Sequence, residues 1–128
     1  MAHVVLDASA VLAFIKAEAG AERVLPHIGQ AAISAVNLQE VVKELALDGL
    51  PRDAVEAIVE RLRLDVHSHD EVAAYEAGLL ATETRAFGRG LGDRTCMALG
   101  MATGLPVLTA DREWSRVALN GLTLELIR

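Results

Sequence analysis

Val4-Val5-Leu6-Asp7 and Pro106-Val107-Leu108-Thr109-Ala110-Asp111 are two short apolar runs that each break into an aspartate. Both runs are typical of strands in a parallel sheet, which are buried on both faces and therefore apolar throughout. In open α/β sheets, ligands bind beyond the carboxyl ends of the strands. The two runs therefore predict that Asp7 and Asp111 meet at a functional edge of one sheet, although they lie near opposite ends of the sequence.

Helical and strand patterns alternate along the rest of the chain, with no linker and no internal repeat between them. The patterns predict strands over about 2–6, 31–33, 64–66, 107–109 and 122–127, and helices over about 9–16, 20–29, 34–48, 51–62, 68–87 and 93–103. Strands separated by helices favour right-handed crossovers and a parallel sheet. At 128 residues, we expect one domain over 1–128, a three-layer α/β sandwich around a mostly parallel sheet of four to five strands.

The composition limits the environment in which the chain works. No apolar run approaches the roughly 18 residues of a membrane span, and the amino terminus lacks the pattern of an export signal. Cys96 is the only cysteine and forms no internal disulfide, which fits a reducing compartment. We therefore expect a cytoplasmic protein that does not engage a membrane.

The formal net charge of -6, taken alone, argues against a nucleic-acid partner, because phosphate contacts need lysine and arginine. The charge is unevenly placed, however: residues 1–80 carry 6 basic and 13 acidic side chains, and residues 81–128 carry 6 basic and 5 acidic ones. Cations held by the acidic residues would cancel part of their charge. Net charge thus neither supports nor excludes a polyanionic substrate.

Two further acids, Glu40 and Asp93, lie in helical patterns that can point toward the same edge. Asn37 and Glu40 are three residues apart and share one helix face beside the apolar stripe. Each acid also has a structural interpretation: the three aspartates can cap helices, and Glu40 can lie on a solvated face. If the four converge, a carboxylate set without thiol or imidazole is the ligand chemistry of a hard divalent cation, Mg²⁺ or alternatively Mn²⁺.

Four segments, taken together, resemble PIN-domain ribonucleases, and in particular the VapC-type toxins of bacterial toxin–antitoxin pairs. They are Val4–Ala10, Ser34–Val41, Leu91–Leu99 and Leu105–Trp114, in the family's order and spread over nearly the whole chain. One departure is the loop Arg89-Gly90-Leu91, where relatives often have a serine before the Leu-Gly-Asp segment. The resemblance implies a PIN-like fold, cleavage of RNA to a 5′-phosphate and a 3′-hydroxyl, a homodimer, and inhibition by a cognate antitoxin.

The resemblance also implies roles for individual residues. The family's acidic site falls on Asp7, Glu40, Asp93 and Asp111, while Ser9 and Asn37 fall on positions that orient ligands or water. A carboxylate-held cation would lower the pKa of bound water and clamp the attacking and leaving oxygens of the phosphodiester. We expect Asp7 and Asp111 to lie nearest the cation, with Glu40 and Asp93 completing its shell. Arg94 and Arg112, which flank the last two acids, are further candidates for contacts to substrate phosphates.

Two other functions use a similar α/β fold. A phosphoryl-accepting signalling domain also gathers acids around Mg²⁺, but it needs an aspartate ending the third strand and a lysine ending the last. Here the third strand ends at His67 and no lysine follows Lys43, which disfavours that function. The second alternative is a non-catalytic binding module, which a calorimetric metal titration would distinguish from a nuclease.

Overall fold

A wholly parallel five-stranded sheet forms the centre of the molecule. The structure, a computed structural model, describes residues 1–128. The strands are β1 (Val4–Leu6), β2 (Ala31–Ser34), β3 (Asp65–His67), β4 (Val107–Thr109) and β5 (Leu124–Leu126), in the spatial order β3-β2-β1-β4-β5. Every neighbouring pair is parallel. The predicted α/β fold is confirmed, and the sheet has five strands where four to five were expected.

Helices cover both faces of this sheet. They are α1 (Ala8–Ile15), α2 (Ala21–Val24), α3 (Ala35–Leu47), α4 (Arg52–Leu62), α5 (Glu71–Leu79) and α6 (Leu91–Thr103). Short 3₁₀ turns at Leu25–His27, Leu80–Thr82 and Arg112–Arg116 complete the connections. None of these helices has the length and apolar character needed to cross a membrane.

Successive side chains of β1 point to opposite faces of the sheet, so the core has two parts, one on each face. Val4 and Leu6 pack with residues of α1, α3 and α4 on one face of the sheet. Val5 points to the other face, where it packs with Met97 of α6 and with Trp114. Because β1 lies between β2 and β4 and is covered on both faces, Asp7 leaves the sheet at the middle of its carboxyl edge. Trp114 is fully buried, which fits a packing role.

Both ends of the helix predicted over 68–87 differ from the prediction. The helix expected from Ser68 to Phe87 begins at Glu71 and ends at Leu79. Asp70, not Ser68, caps it by accepting a 2.9 Å hydrogen bond from the Ala73 N–H. Beyond the helix, Gly88 has a φ of +67°, a left-handed conformation that L-residues rarely adopt and that no helix continues.

The helix that carries Asp93 also starts earlier than predicted. We expected it to open at Asp93, but α6 opens at Leu91 with Gly90 as the residue before its first turn. Asp93 is therefore in the third helical position, where its carboxylate Oδ2 accepts a 3.0 Å hydrogen bond from the Gly90 N–H. This contact to the start of the helix is typical of an acidic side chain in a first turn.

Candidate active site

Four predicted acids line one cleft at the carboxyl edge of the sheet. The cleft has a volume of about 250 Å³. Asp7 follows β1, Asp111 follows β4, Glu40 lies on α3 and Asp93 lies on α6. The complete lining is Asp7, Ala8, Ser9, Leu12, Glu40, Lys43, Glu44, Asp93 and Asp111. Four segments that are far apart in sequence thus contribute carboxylates to a single concave surface, as parallel strands joined by helices allow.

The Asp7 side chain turns into the protein and does not cap the helix that follows it. Asp7 occupies the residue before α1, yet its side chain makes no capping hydrogen bond. Its Oδ2 atom instead accepts hydrogen bonds from the Ser9 hydroxyl at 2.6 Å and from the Thr109 hydroxyl at 2.8 Å. The helix-cap interpretation of Asp7 is therefore wrong, and this acid is held by hydroxyls from both ends of the chain.

Burial makes the Asp7 carboxylate costly to ionise. The residue is 5% exposed, and loss of solvent raises the pKa of its carboxyl from 3.8 to about 6. The hydrogen bonds from Ser9 and Thr109 lower the pKa, while the negative charges of Glu40 and Asp93 raise it. A carboxyl with a raised pKa at the surface of a cleft is a candidate functional group.

Thr109 is a positioning residue of the site that sequence reasoning missed. It is fully buried, and its hydroxyl donates to Asp7 Oδ2 while accepting a 3.1 Å hydrogen bond from the Asp111 N–H. The Ser9 hydroxyl likewise accepts from the Ala110 N–H at 2.9 Å. These bonds tie the end of β1 to the end of β4. The sequence did contain a signal for this role: Thr109 lies two residues before Asp111, just as Ser9 lies two residues after Asp7.

Asn37 holds Glu40 against the start of α6. The Asn37 amide Nδ2 donates to Glu40 Oε1 at 2.7 Å and to the Gly92 carbonyl at 3.0 Å. Asn37 is fully buried, and its Oδ1 atom has no hydrogen-bond partner. A Cβ atom at Gly92 would lie only 2.7 Å from Glu40 Cδ. The side chain of Glu40 therefore fills the space that the glycine leaves open, and Asn37 fixes it there.

The remaining two acids keep their structural contacts while facing the cleft. Asp111 Oδ1 accepts a 3.0 Å hydrogen bond from the Glu113 N–H and caps the 3₁₀ turn that follows. Asp93 bonds to the Gly90 N–H as described above. Each of these carboxylates uses one oxygen for the cap, which leaves the other oxygen free of that bond.

The donor chemistry of the cleft fits a hard divalent cation. Its acidic lining consists of five carboxylates, because Glu44 joins the four predicted acids, and it contains neither thiol nor imidazole. Oxygen-only donor sets of this kind are the usual ligands of Mg²⁺ and Mn²⁺. In the structure no three His, Cys, Asp or Glu side chains stand close enough together to enclose an ion. The carboxylates are instead directed to hydroxyl, amide and backbone donors of the protein.

Neither predicted arginine lines the cleft. Arg94 lies on α6, where its guanidinium donates to the carbonyl of Arg89. Arg112 is exposed in the 3₁₀ turn after Asp111. Their contact with substrate stays a prediction.

Lys43 is the one cationic side chain on the cleft wall, and sequence reasoning missed it. It lies on α3 three residues after Glu40, which places it on the same helix face. Its Nζ atom is 3.2 Å from Glu44 Oε1. The spacing from Glu40 was the available signal, but a lysine near the middle of an amphipathic helix is ordinarily interpreted as a solvated residue.

The comparisons with known proteins decide the family. The sequence profile of the PIN domain matches residues 4–120. The chain belongs to the PIN-domain family. Over its full length it superposes on one full chain of the DNA-bound VapBC structure from Salmonella typhimurium, with a TM-score of 0.73 and 25% sequence identity. No curated protein sequence matches it.

Two further solved structures share the fold of this PIN domain. A chain of a toxin–antitoxin complex from Klebsiella pneumoniae superposes with a TM-score of 0.72 at 16% identity, covering 94% of this chain and 95% of that one. A chain of VapBC-1 from nontypeable Haemophilus influenzae gives 0.66 at 20% identity, covering 97% of each. The resemblance to VapC-type PIN domains is thus confirmed, and the chain is a PIN nuclease of the toxin–antitoxin type.

Proposed function

We propose that this PIN domain is a metal-dependent endoribonuclease toxin that is neutralised by a cognate antitoxin. The observation that supports it is the convergence of Asp7, Glu40, Asp93 and Asp111 on one cleft of a PIN fold. RNA as the substrate, Mg²⁺ as the cation with Mn²⁺ as the alternative, and a cytoplasmic location all belong to this proposal. So do the assignment of residues 1–128 to one PIN domain and the roles of the individual site residues.

The chain's own residues prepare the cleft for phosphodiester hydrolysis. When bound, a divalent cation supplies charge neutralisation for the phosphoryl oxygens and activates water. Ser9 and Thr109 fix the Asp7 carboxylate in one rotamer by their hydroxyl bonds. Asn37 fixes Glu40 in the same way from α3. Preorganised carboxylates of this kind hold the reacting groups in line without paying for reorganisation during the reaction.

An apolar groove on this molecule is the surface that we propose for binding of the antitoxin. An apolar groove of about 550 Å³ lies between α3 and α4, and it is lined by Leu38, Val42, Ala46, Leu50, Val55 and Val59, with Arg52, Glu56 and Glu60 at its edge. The antitoxin segment of this proposal lies in this groove. The same proposal includes a homodimer, for which the exposed apolar side chains Val72, Tyr75 and Leu79 of α5 offer a surface.

Substitution of the acids tests the proposal directly. Asp7→Asn and Asp93→Asn each remove one negative charge while keeping the size of the side chain, so both should abolish Mg²⁺-dependent RNA cleavage and growth arrest on induction. Asp53→Asn, which changes an exposed acid in the first turn of α4, should leave both unchanged. The measurement is gel analysis of RNA cleavage with and without EDTA, together with growth after induction.

Two results would contradict the proposal. Full toxicity and full cleavage by both Asp variants would show that the cleft is not the active site. Absence of RNA cleavage by the wild-type protein, together with no calorimetric binding of a divalent cation, would favour the non-catalytic binding module instead. If the wild-type protein does cleave RNA, mapping of 5′ ends in total RNA shortly after induction would identify the RNA that it prefers.

A further inference from the structure

We propose that Lys43 binds a phosphate of the RNA substrate at the α3 wall of the cleft. This inference rests on the proposed function, because it takes RNA as the ligand of the same cleft. It assigns a substrate-binding role to a residue that lies outside the four acidic positions and outside the arginines near the carboxyl terminus.

The charge balance of the cleft is the first argument. Five carboxylates and a single ammonium group are present among its nine lining residues. A phosphodiester that approaches this surface is repelled by every charged side chain except Lys43. A bound cation offsets part of the repulsion but lies among the carboxylates. The only positive charge that the protein itself presents to the strand on this wall is therefore the Lys43 ammonium.

The local contacts of Lys43 leave it available for a phosphate. Its only charged partner is Glu44, the next residue in α3, at 3.2 Å, and the two side chains are 60% and 38% exposed. An exposed ion pair of this kind contributes little and is readily exchanged for another anion. The long methylene stem lets the ammonium swing from Glu44 toward a strand lying across the cleft without a change in the helix.

The chain contains a matched control, because Lys16 is its only other lysine. Lys16 Nζ lies 3.0 Å from Asp48 Oδ2, and Lys16 does not line the cleft. The hydrogen bond and charge of Asp48 raise the pKa of the Lys16 ammonium. The two lysines therefore have the same charge and length, but only one of them faces the candidate site.

The test measures RNA binding separately from cleavage. Fluorescence anisotropy of a short single-stranded RNA is followed with wild-type protein, Lys43→Met, Lys43→Arg and Lys16→Met, in Ca²⁺ under conditions where a gel shows the RNA intact. We expect Lys43→Met to weaken binding about tenfold, the effect of losing one charge-assisted contact. It should also reduce the slope of log affinity against log salt by about 0.7. Lys43→Arg should restore the slope, and Lys16→Met should match the wild type.

The outcomes separate this inference from the proposed function. If Lys43→Met binds RNA with the wild-type affinity and salt slope, or if the wild type binds no RNA, the assignment of Lys43 is wrong. If the wild type binds RNA with the expected Lys43 dependence but never cleaves it in Mg²⁺ or Mn²⁺, Lys43 keeps its role and the nuclease proposal fails. If cleavage occurs and Lys43→Met raises KM with little change in kcat, both stand.

Discussion

At the scale of single residues, Asp7 is the acid whose surroundings differ most from those of an ordinary surface carboxylate. It is buried, it is bonded only to hydroxyls, and it faces two other negative charges. Its ionised form is therefore less stable in the folded protein than in the unfolded chain. A bound cation would reverse that balance, so the site is arranged to be stabilised by its own ligand.

The pKa of Asp7 predicts how the metal-free protein responds to pH. Because folding raises this pKa from 3.8 to about 6, the native state binds the proton more tightly than the unfolded state. The contribution of Asp7 to stability is therefore largest at low pH and is lost as pH rises from about 4 to about 6. The total loss is about 3 kcal/mol. Urea unfolding in EDTA across this range should show it as the difference between wild type and Asp7→Asn.

Two controls show whether Asp7 is the cause. Asp7→Asn should remove this component of the pH dependence and should be more stable than the wild type at neutral pH in EDTA. Thr109→Val removes a hydrogen bond that lowers the pKa, so the midpoint of the loss should move to higher pH. A flat difference between wild type and Asp7→Asn would mean that Asp7 is not buried as described, and an unchanged curve for Thr109→Val would mean that the Thr109 hydroxyl does not hold the carboxylate.

At the scale of secondary-structure elements, the contact between α3 and α6 brings two of the acids together. The absence of a side chain at Gly92 lets the first turn of α6 pack directly on Glu40, and Asn37 joins both elements by its amide. The separation of Glu40 from Asp93 is thus set by a helix-to-helix contact.

Gly92→Ala tests this contact. The added methyl group would overlap the Glu40 carboxylate, which is the mobile end of a side chain, so the fold should persist while Glu40 is displaced. A displacement of about 1 Å in a catalytic group reduces the rate by about 100-fold. The cleavage rate and the urea midpoint should be measured together. Gly78→Ala is the matched control, because a Cβ there meets nothing within 4 Å, and it should gain stability without losing activity. Equal cleavage by the two variants would exclude a role for the contact.

Helix and strand patterns predicted where the acids lie, but they did not predict the neighbouring side chains of the cleft. Asp7 and Asp111 could be placed because a parallel sheet brings the carboxyl ends of its strands to one edge. Thr109 and Lys43 could not, because each takes its role from a partner distant in sequence or from its position on a surface. The end of α5 was placed too late because the helix passes directly into the 3₁₀ turn Leu80–Thr82, and the apolar pattern does not mark that change.

At the scale of the whole molecule, Trp114 reports on the folding of residues 1–128 as one unit. It is the only tryptophan and is buried with Val5 and Met97 on the α6 face of the sheet, whereas most helical residues of α1, α3 and α4 pack on the opposite face. If the chain is one domain, its fluorescence shift and the loss of far-ultraviolet circular dichroism should share one midpoint in urea. Two separated midpoints would contradict the prediction of a single domain.

The order of the strands also has a consequence for the cell that makes this protein. Since β4 lies beside β1, and Asp111 follows β4, the cleft lacks one wall until the last part of the polypeptide has been synthesised and inserted. If the function is as proposed, we expect a nascent chain that lacks Asp111 to be inactive, because one of the four acids is missing. On the same proposal, we expect a chain truncated before Asp111 to be inactive, so that activity would begin only after this part of the chain has been made and has joined β1.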